Sequence, residues 1–158
     1  MNKKTILLML LIIIWLIVIF YFSSMDTYES NGDSKEVVSV VVDKAIDVSN
    51  SSISDNKKED IVNVLNLPIR KLAHFSLYFI LSILFMVFFM SFNKFNLRYV
   101  ILISIIFCFI YACSDEYHQT FINGRTGQFI DVIIDTIGAS VGSIIYSIGY
   151  KRLTKKYK

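Results

Sequence analysis

Four apolar stretches, each close to the roughly 20 residues that cross the hydrocarbon core of a bilayer, decide most of what this chain can become. Ile6 to Phe22 is uninterrupted apolar sequence, and Leu72 to Phe92, Leu97 to Ser114 and Phe129 to Ile148 are nearly so. None carries a polar stripe at the 3.6-residue period except near its ends, so none would offer water a wettable face in a soluble bundle. An apolar fraction of 54% and an aromatic fraction of 15% also exceed the usual composition of a soluble domain. The expected fold is an all-α integral membrane protein, a single domain of 158 residues. Its spans fall near 5–23, 72–92, 97–114 and 129–149, with an exterior loop over 24–71 and a tail over 150–158. The first span reads as an uncleaved signal anchor. It is longer than a signal-peptide apolar region, and Phe22-Ser23-Ser24-Met25 offers no small-x-small cleavage site.

Basic residues near helix ends orient such a bundle, because short positively charged loops resist translocation. Lys3 and Lys4 precede the first span, Lys94 and Arg98 fill the hinge between the second and third, and Lys151, Arg152, Lys155, Lys156 and Lys158 crowd the tail. All of these belong on the inner side, which puts both termini in the cytoplasm of a bacterial plasma membrane. The long first loop carries six basic residues, but long loops translocate largely regardless of charge. Every acid, from Asp26 through Asp60 and then Asp115, Glu116, Asp131 and Asp135, falls on the opposite side.

The exterior loop is polar, and its only proline is Pro68. Val37, Val41, Ala45 and Val48 recur at helical spacing behind Asp33, an N-cap candidate with Glu36 in the third helical position. The valines also permit a strand, since β-branched residues suit pleated backbone. A second short helix is expected from about Lys58 to Leu65, with Pro68 in the first turn of the second span. Cys108 and Cys113, about 8 Å apart on one helix, lie beyond disulfide reach and read as free thiols.

Depth follows from counting about 20 residues from the inner anchors. Back from Lys94 the count reaches His74, forward from Arg98 it reaches His118, and back from Tyr150 it ends beside Asp131. The three counts place Arg70, Lys71 and His74, then Asp115, Glu116, His118 and Gln119, then Asp131 and Asp135 in one outer layer. Helical spacing puts Arg70, His74 and Tyr78 on one face, Tyr111, Asp115 and His118 on another, and Asp131, Asp135, Gly138 and Gly142 on a third. Gly138-x-x-x-Gly142 permits close helix approach, so the stripe bearing both aspartates should point into the bundle. An intramembrane carboxylate costs on the order of 3 kcal/mol on insertion scales, so Asp135 should be paired, protonated or hydrated. Arg70, Lys71 and Arg125 are the candidate partners.

At these residues the chain resembles the VanZ-like family of small bacterial membrane proteins. One block is Phe20-Tyr21-Phe22-Ser23-Ser24; a second is Arg70-Lys71-Leu72-Ala73-His74-Phe75 with Tyr78. A third runs from Asp115-Glu116-Tyr117-His118-Gln119-Thr120-Phe121 through Gly124-Arg125 to Asp131, Asp135, Gly138 and Gly142. Two positions depart: Leu77 stands where many relatives have a glutamate, and Asn123 where a proline often precedes Gly-Arg. The resemblance implies an accessory role in low-level resistance to teicoplanin-type glycopeptides and supplies no established reaction.

The residues leave several readings of the polar layer. In the plainest, its charges nearly balance and fix helix register. In a second, the layer is an outward-facing site where Arg70, Lys71 and Arg125 grip a phosphate or carboxylate while Tyr78, Phe79 and Phe75 accept an apolar chain. Membrane lipid, a lipid-linked cell-wall precursor or a lipoglycopeptide tail are its expected partners. The alternative is a membrane-embedded enzyme using His, Asp and Glu as acid and base or as metal ligands, but no H-E-x-x-H, G-x-S-x-G or Gly-rich phosphate loop occurs. No catalytic residue, metal or cofactor is therefore assigned, and the basic tail reads as a lipid-headgroup contact rather than a nucleic-acid surface. The expected function is a non-catalytic accessory factor in cell-envelope or glycopeptide response.

Overall fold

The computed structural model describes residues 3–25, 27–49, 54–92, 94–122 and 124–156. Five helices occupy them: α1 Lys3–Ser24, α2 Thr27–Ser49, α3 Asp55–Met90, α4 Leu97–Gln119 and α5 Phe129–Lys156. No strand occurs among the described residues, so the valine-rich segment is helical. Helices α1, α3, α4 and α5 are each long and apolar enough to cross a membrane. Their outward faces carry large apolar side chains, such as Leu7, Ile17 and Ile110. In water such exposure would be a liability; against acyl chains it is the expected surface.

The exterior loop differs from its expected form in two ways. Helix α2 begins at Thr27, so Asp33 lies inside it and is not its N-cap. The short helix expected from Lys58 and the second span expected from Leu72 are one continuous 36-residue helix, and Pro68 sits in its interior. Proline withdraws the hydrogen bond that residue 68 would donate to the Val64 carbonyl. Val64 is exposed, and at 1.5 Å per residue α3 is about 54 Å long, well beyond a core of about 30 Å. The missing bond therefore falls outside the apolar half of the helix, where water can serve the carbonyl. Along that projecting half α2 packs through Val38 and Val42 against Val62, with Ile46, Ile61 and Ile69 around them. A Lys58–Asp43 ion pair at 2.6 Å borders this contact.

Within the bundle α5 packs chiefly on α3 and α4, and α1 leans on the same two helices from outside. The core gathers Ile12, Ile19, Tyr78, Leu81, Phe85, Cys108, Ala112, Val132 and Ala139. Three polar contacts fix α1 at successive depths. Thr5 Oγ1 lies 3.3 Å from Ser91 Oγ at the basic end, and Trp15 Nε1 donates to the Leu77 carbonyl at 3.0 Å. Tyr111 O–H donates to the Leu16 carbonyl at 2.7 Å. In an apolar medium with no competing water, such bonds set rotation and register. Asn96 caps α4 by accepting from the Arg98 N–H at 3.2 Å, which stops the hinge after α3 from continuing as helix.

Candidate functional site: a polar crevice at the acidic end of the bundle

The tightest helix contact positions the site. A Cβ on Gly138 would strike the Phe75 carbonyl, and one on Gly142 would strike the Phe79 carbonyl and the Ser82 hydroxyl. The backbones of α5 and α3 therefore nearly touch along this stripe. Just beyond it, toward the acidic end, their side chains part around a narrow polar crevice with a cavity volume of only about 10 Å³. Arg70, Lys71 and His74 of α3 line it with Glu116 and Gln119 of α4, Arg125 of the following loop, and Asp131 and Asp135 of α5. The narrow interior has room for about one water.

Each charge in the crevice has a distinct local arrangement. Lys71 Nζ pairs with Asp131 Oδ1 at 2.5 Å, both side chains about a quarter exposed. Glu116 Oε2 accepts from the Gln128 N–H at 2.8 Å. That contact needs the loop to return tightly over the end of α4. Gly124 supplies a left-handed turn with φ 75°, and a Cβ on Gly127 would collide with the Glu116 carbonyl. Arg125 is buried and donates from Nη1 to the Ser23 carbonyl at 3.2 Å, with Nη2 3.5 Å from the Phe22 carbonyl. Gln119 Nε2 donates to Ser23 Oγ at 3.0 Å, so α4 and its loop together grip the end of α1. Arg70, at the crevice mouth, makes no hydrogen bond or ion pair with any described residue.

Deeper in, Asp135 is fully buried and Asp115 is 3% exposed. Neither carboxyl has a well-formed hydrogen bond to a described residue, and neither does the hydroxyl of Tyr78. The three side chains lie close enough to act on one another electrostatically, with Ser23 and Gln119 beside Asp115. Asp135 thus faces protein rather than lipid, as the glycine stripe requires.

Two expected placements need correction. Tyr78 is completely buried, so it is not available to a ligand, while Phe75 and Phe79 stay partly exposed. The reason is the glycine contact, which draws that face of α3 onto α5. His118 shares a face with Tyr111 and Asp115, but the face turns toward α1. Its ring stacks on Phe20 with centroids 4.6 Å apart, and Nε2 lies 3.3 Å from Ser24 Oγ. Sequence spacing also missed Ser23 and Gly127. Leu77, at the position where relatives often have glutamate, gives its carbonyl to Trp15. Asn123 lies outside the described residues. Among the described residues no group of three His, Cys, Asp or Glu side chains converges as a metal site would need.

Four spanning helices sharing one buried polar layer at a single end define a multi-pass helical membrane protein. Residues 8–150 match the VanZ/LLP1 family model, and the chain belongs to that family. Comparison with curated proteins and with solved structures gives no match.

Proposed function

We propose that this VanZ/LLP1 protein is a non-catalytic accessory factor of the bacterial plasma membrane, acting in envelope response to teicoplanin-type glycopeptides. The mouth of the crevice faces outward near the outer leaflet and meets the anionic head of an amphipathic envelope ligand. The observation that carries this reading is Arg70. Lys71 pairs with Asp131 and Arg125 reaches the end of α1, whereas Arg70 stands at the mouth with no ion pair to any described residue. A guanidinium presents a planar fork suited to phosphate or carboxylate.

The test is a susceptible host in which expression of the wild type raises the teicoplanin concentration tolerated. Arg70→Gln should keep the membrane abundance of the wild type and lose the protection. Protection retained at full abundance removes Arg70 from the site, and a wild type that never protects refutes the glycopeptide role.

A second reading, an enzyme acting on a lipid-linked cell-wall intermediate, draws on one observation. The buried oxygens of Tyr78, Asp115 and Asp135 are grouped, and among the described residues neither Tyr78 nor Asp135 has a hydrogen-bond partner, as a proton-transfer site would hold them before substrate arrives. Incubation of purified protein with a lipid-linked precursor, followed by mass spectrometry, decides it: an unaltered precursor eliminates the enzyme.

A further inference from the structure

On the other side of Arg70 lies a hollow of opposite character, an apolar groove of about 420 Å³ between the end of α1, α2 and α3. Phe22 and Met25 form one wall and Val37 of α2 another. The floor is Ile69, Ala73, Leu77 and Ile80, a single stripe of α3 on the face turned away from Tyr78. Arg70 and His74 border both this groove and the polar crevice.

Length and charge together select an occupant. From Ile69 to Ile80 the floor rises about 16 Å, from headgroup level into the outer half of a hydrocarbon core of about 30 Å. A single acyl chain fills that depth, while a long polyprenyl chain would overrun it. At the polar end of the stripe the Arg70 guanidinium, which pairs with no described residue, suits an anion, and a phosphate can accept from two of its N–H groups. Building on the outward-facing ligand site of the preceding section, we infer that the groove seats one acyl chain of an anionic glycerophospholipid whose phosphate is held by Arg70. The bound lipid then forms part of the crevice wall, placing the site's own anion next to His74.

The experiment is native mass spectrometry of the full chain, purified in detergent and titrated with dioleoyl phosphatidylglycerol or dioleoyl phosphatidylcholine. The wild type should bind the anionic lipid about tenfold more tightly, the difference expected from one charged hydrogen-bonded contact. Arg70→Gln should equalise the two lipids. Ala73→Phe should lower occupancy by both, and Ser76→Phe, at another residue lining the groove, serves as a second groove-filling variant; melting temperatures identify any variant that does not fold. Equal binding of the two lipids by the wild type overturns the inference, as does occupancy unchanged in both folded groove variants. Undecaprenyl phosphate displacing phosphatidylglycerol at equimolar ratio overturns the choice of phospholipid, and a lipid-free dimer that closes the groove overturns the lipid altogether. Teicoplanin protection is scored separately in cells. Loss of protection without loss of lipid binding, or the reverse, shows which of the two proposals has failed.

Discussion

Arg125 performs at the end of α1 the service that water performs for a soluble helix. The last carbonyls of any helix lack intrahelical partners, and at a bilayer boundary a guanidinium can satisfy two at once while opposing the negative end of the helix dipole. Arg125 reaches the carbonyls of Ser23 and Phe22 in this way. Arg125→Gln should therefore destabilise the fold by about 2 kcal/mol, the cost of leaving buried carbonyls unserved, and lower the melting temperature in detergent. An unchanged melting temperature would show that water or lipid headgroups already fill that role. The charge of Arg125 was legible in the sequence, but its partner was not. Spacing relates residues along one helix, and Ser23 lies 102 positions away on a helix whose rotation the apolar pattern does not fix. The same gap explains His118, which spacing places on one face with Tyr111 and Asp115 without naming α1, the helix that its ring meets.

At the scale of elements, the spans were readable because lipid selects for length and uniform apolarity, and both are local properties. Pro68 defeated the same reading. A proline after a polar loop ordinarily marks a helix start, but here α3 runs through it for 36 residues. What overrides the local signal is the packing of α2, whose valines clamp the projecting half of α3 through Val62. The glycine stripe was legible for the opposite reason: small residues four apart have few uses in a spanning helix other than close approach. Gly138→Ala and Gly142→Ala should each cost about 1 to 3 kcal/mol, because the added methyl meets backbone of α3 that cannot rotate aside. Gly149 has nothing within 4 Å of such a methyl, so Gly149→Ala should leave stability equal or slightly higher. Thermal melts of the three variants compare them directly. Equal losses at all three positions would mean that helix α5 responds to propensity and not to its contact with α3.

For the whole molecule the asymmetry of charge matters more than any single pair. Lys3, Lys4, Lys94, Arg98, Lys151 and Arg152 share the end where Thr5 meets Ser91, whereas the crevice and the α2–α3 projection occupy the other. Insertion machinery retains the more positively charged short segments on the inner side, so an outward-facing crevice is the expected orientation. The orientation decides whether an envelope ligand could reach Arg70 at all. Single cysteines at Lys4→Cys, Asn96→Cys and Lys57→Cys, each in a background with Cys108 and Cys113 replaced by alanine, test it with a membrane-impermeant maleimide. Position 57 should label in intact cells, and positions 4 and 96 only after permeabilisation. The reverse pattern would turn the crevice and its lipid groove toward the cytoplasm, where Arg70 would meet the anionic inner leaflet and a soluble glycopeptide would meet nothing.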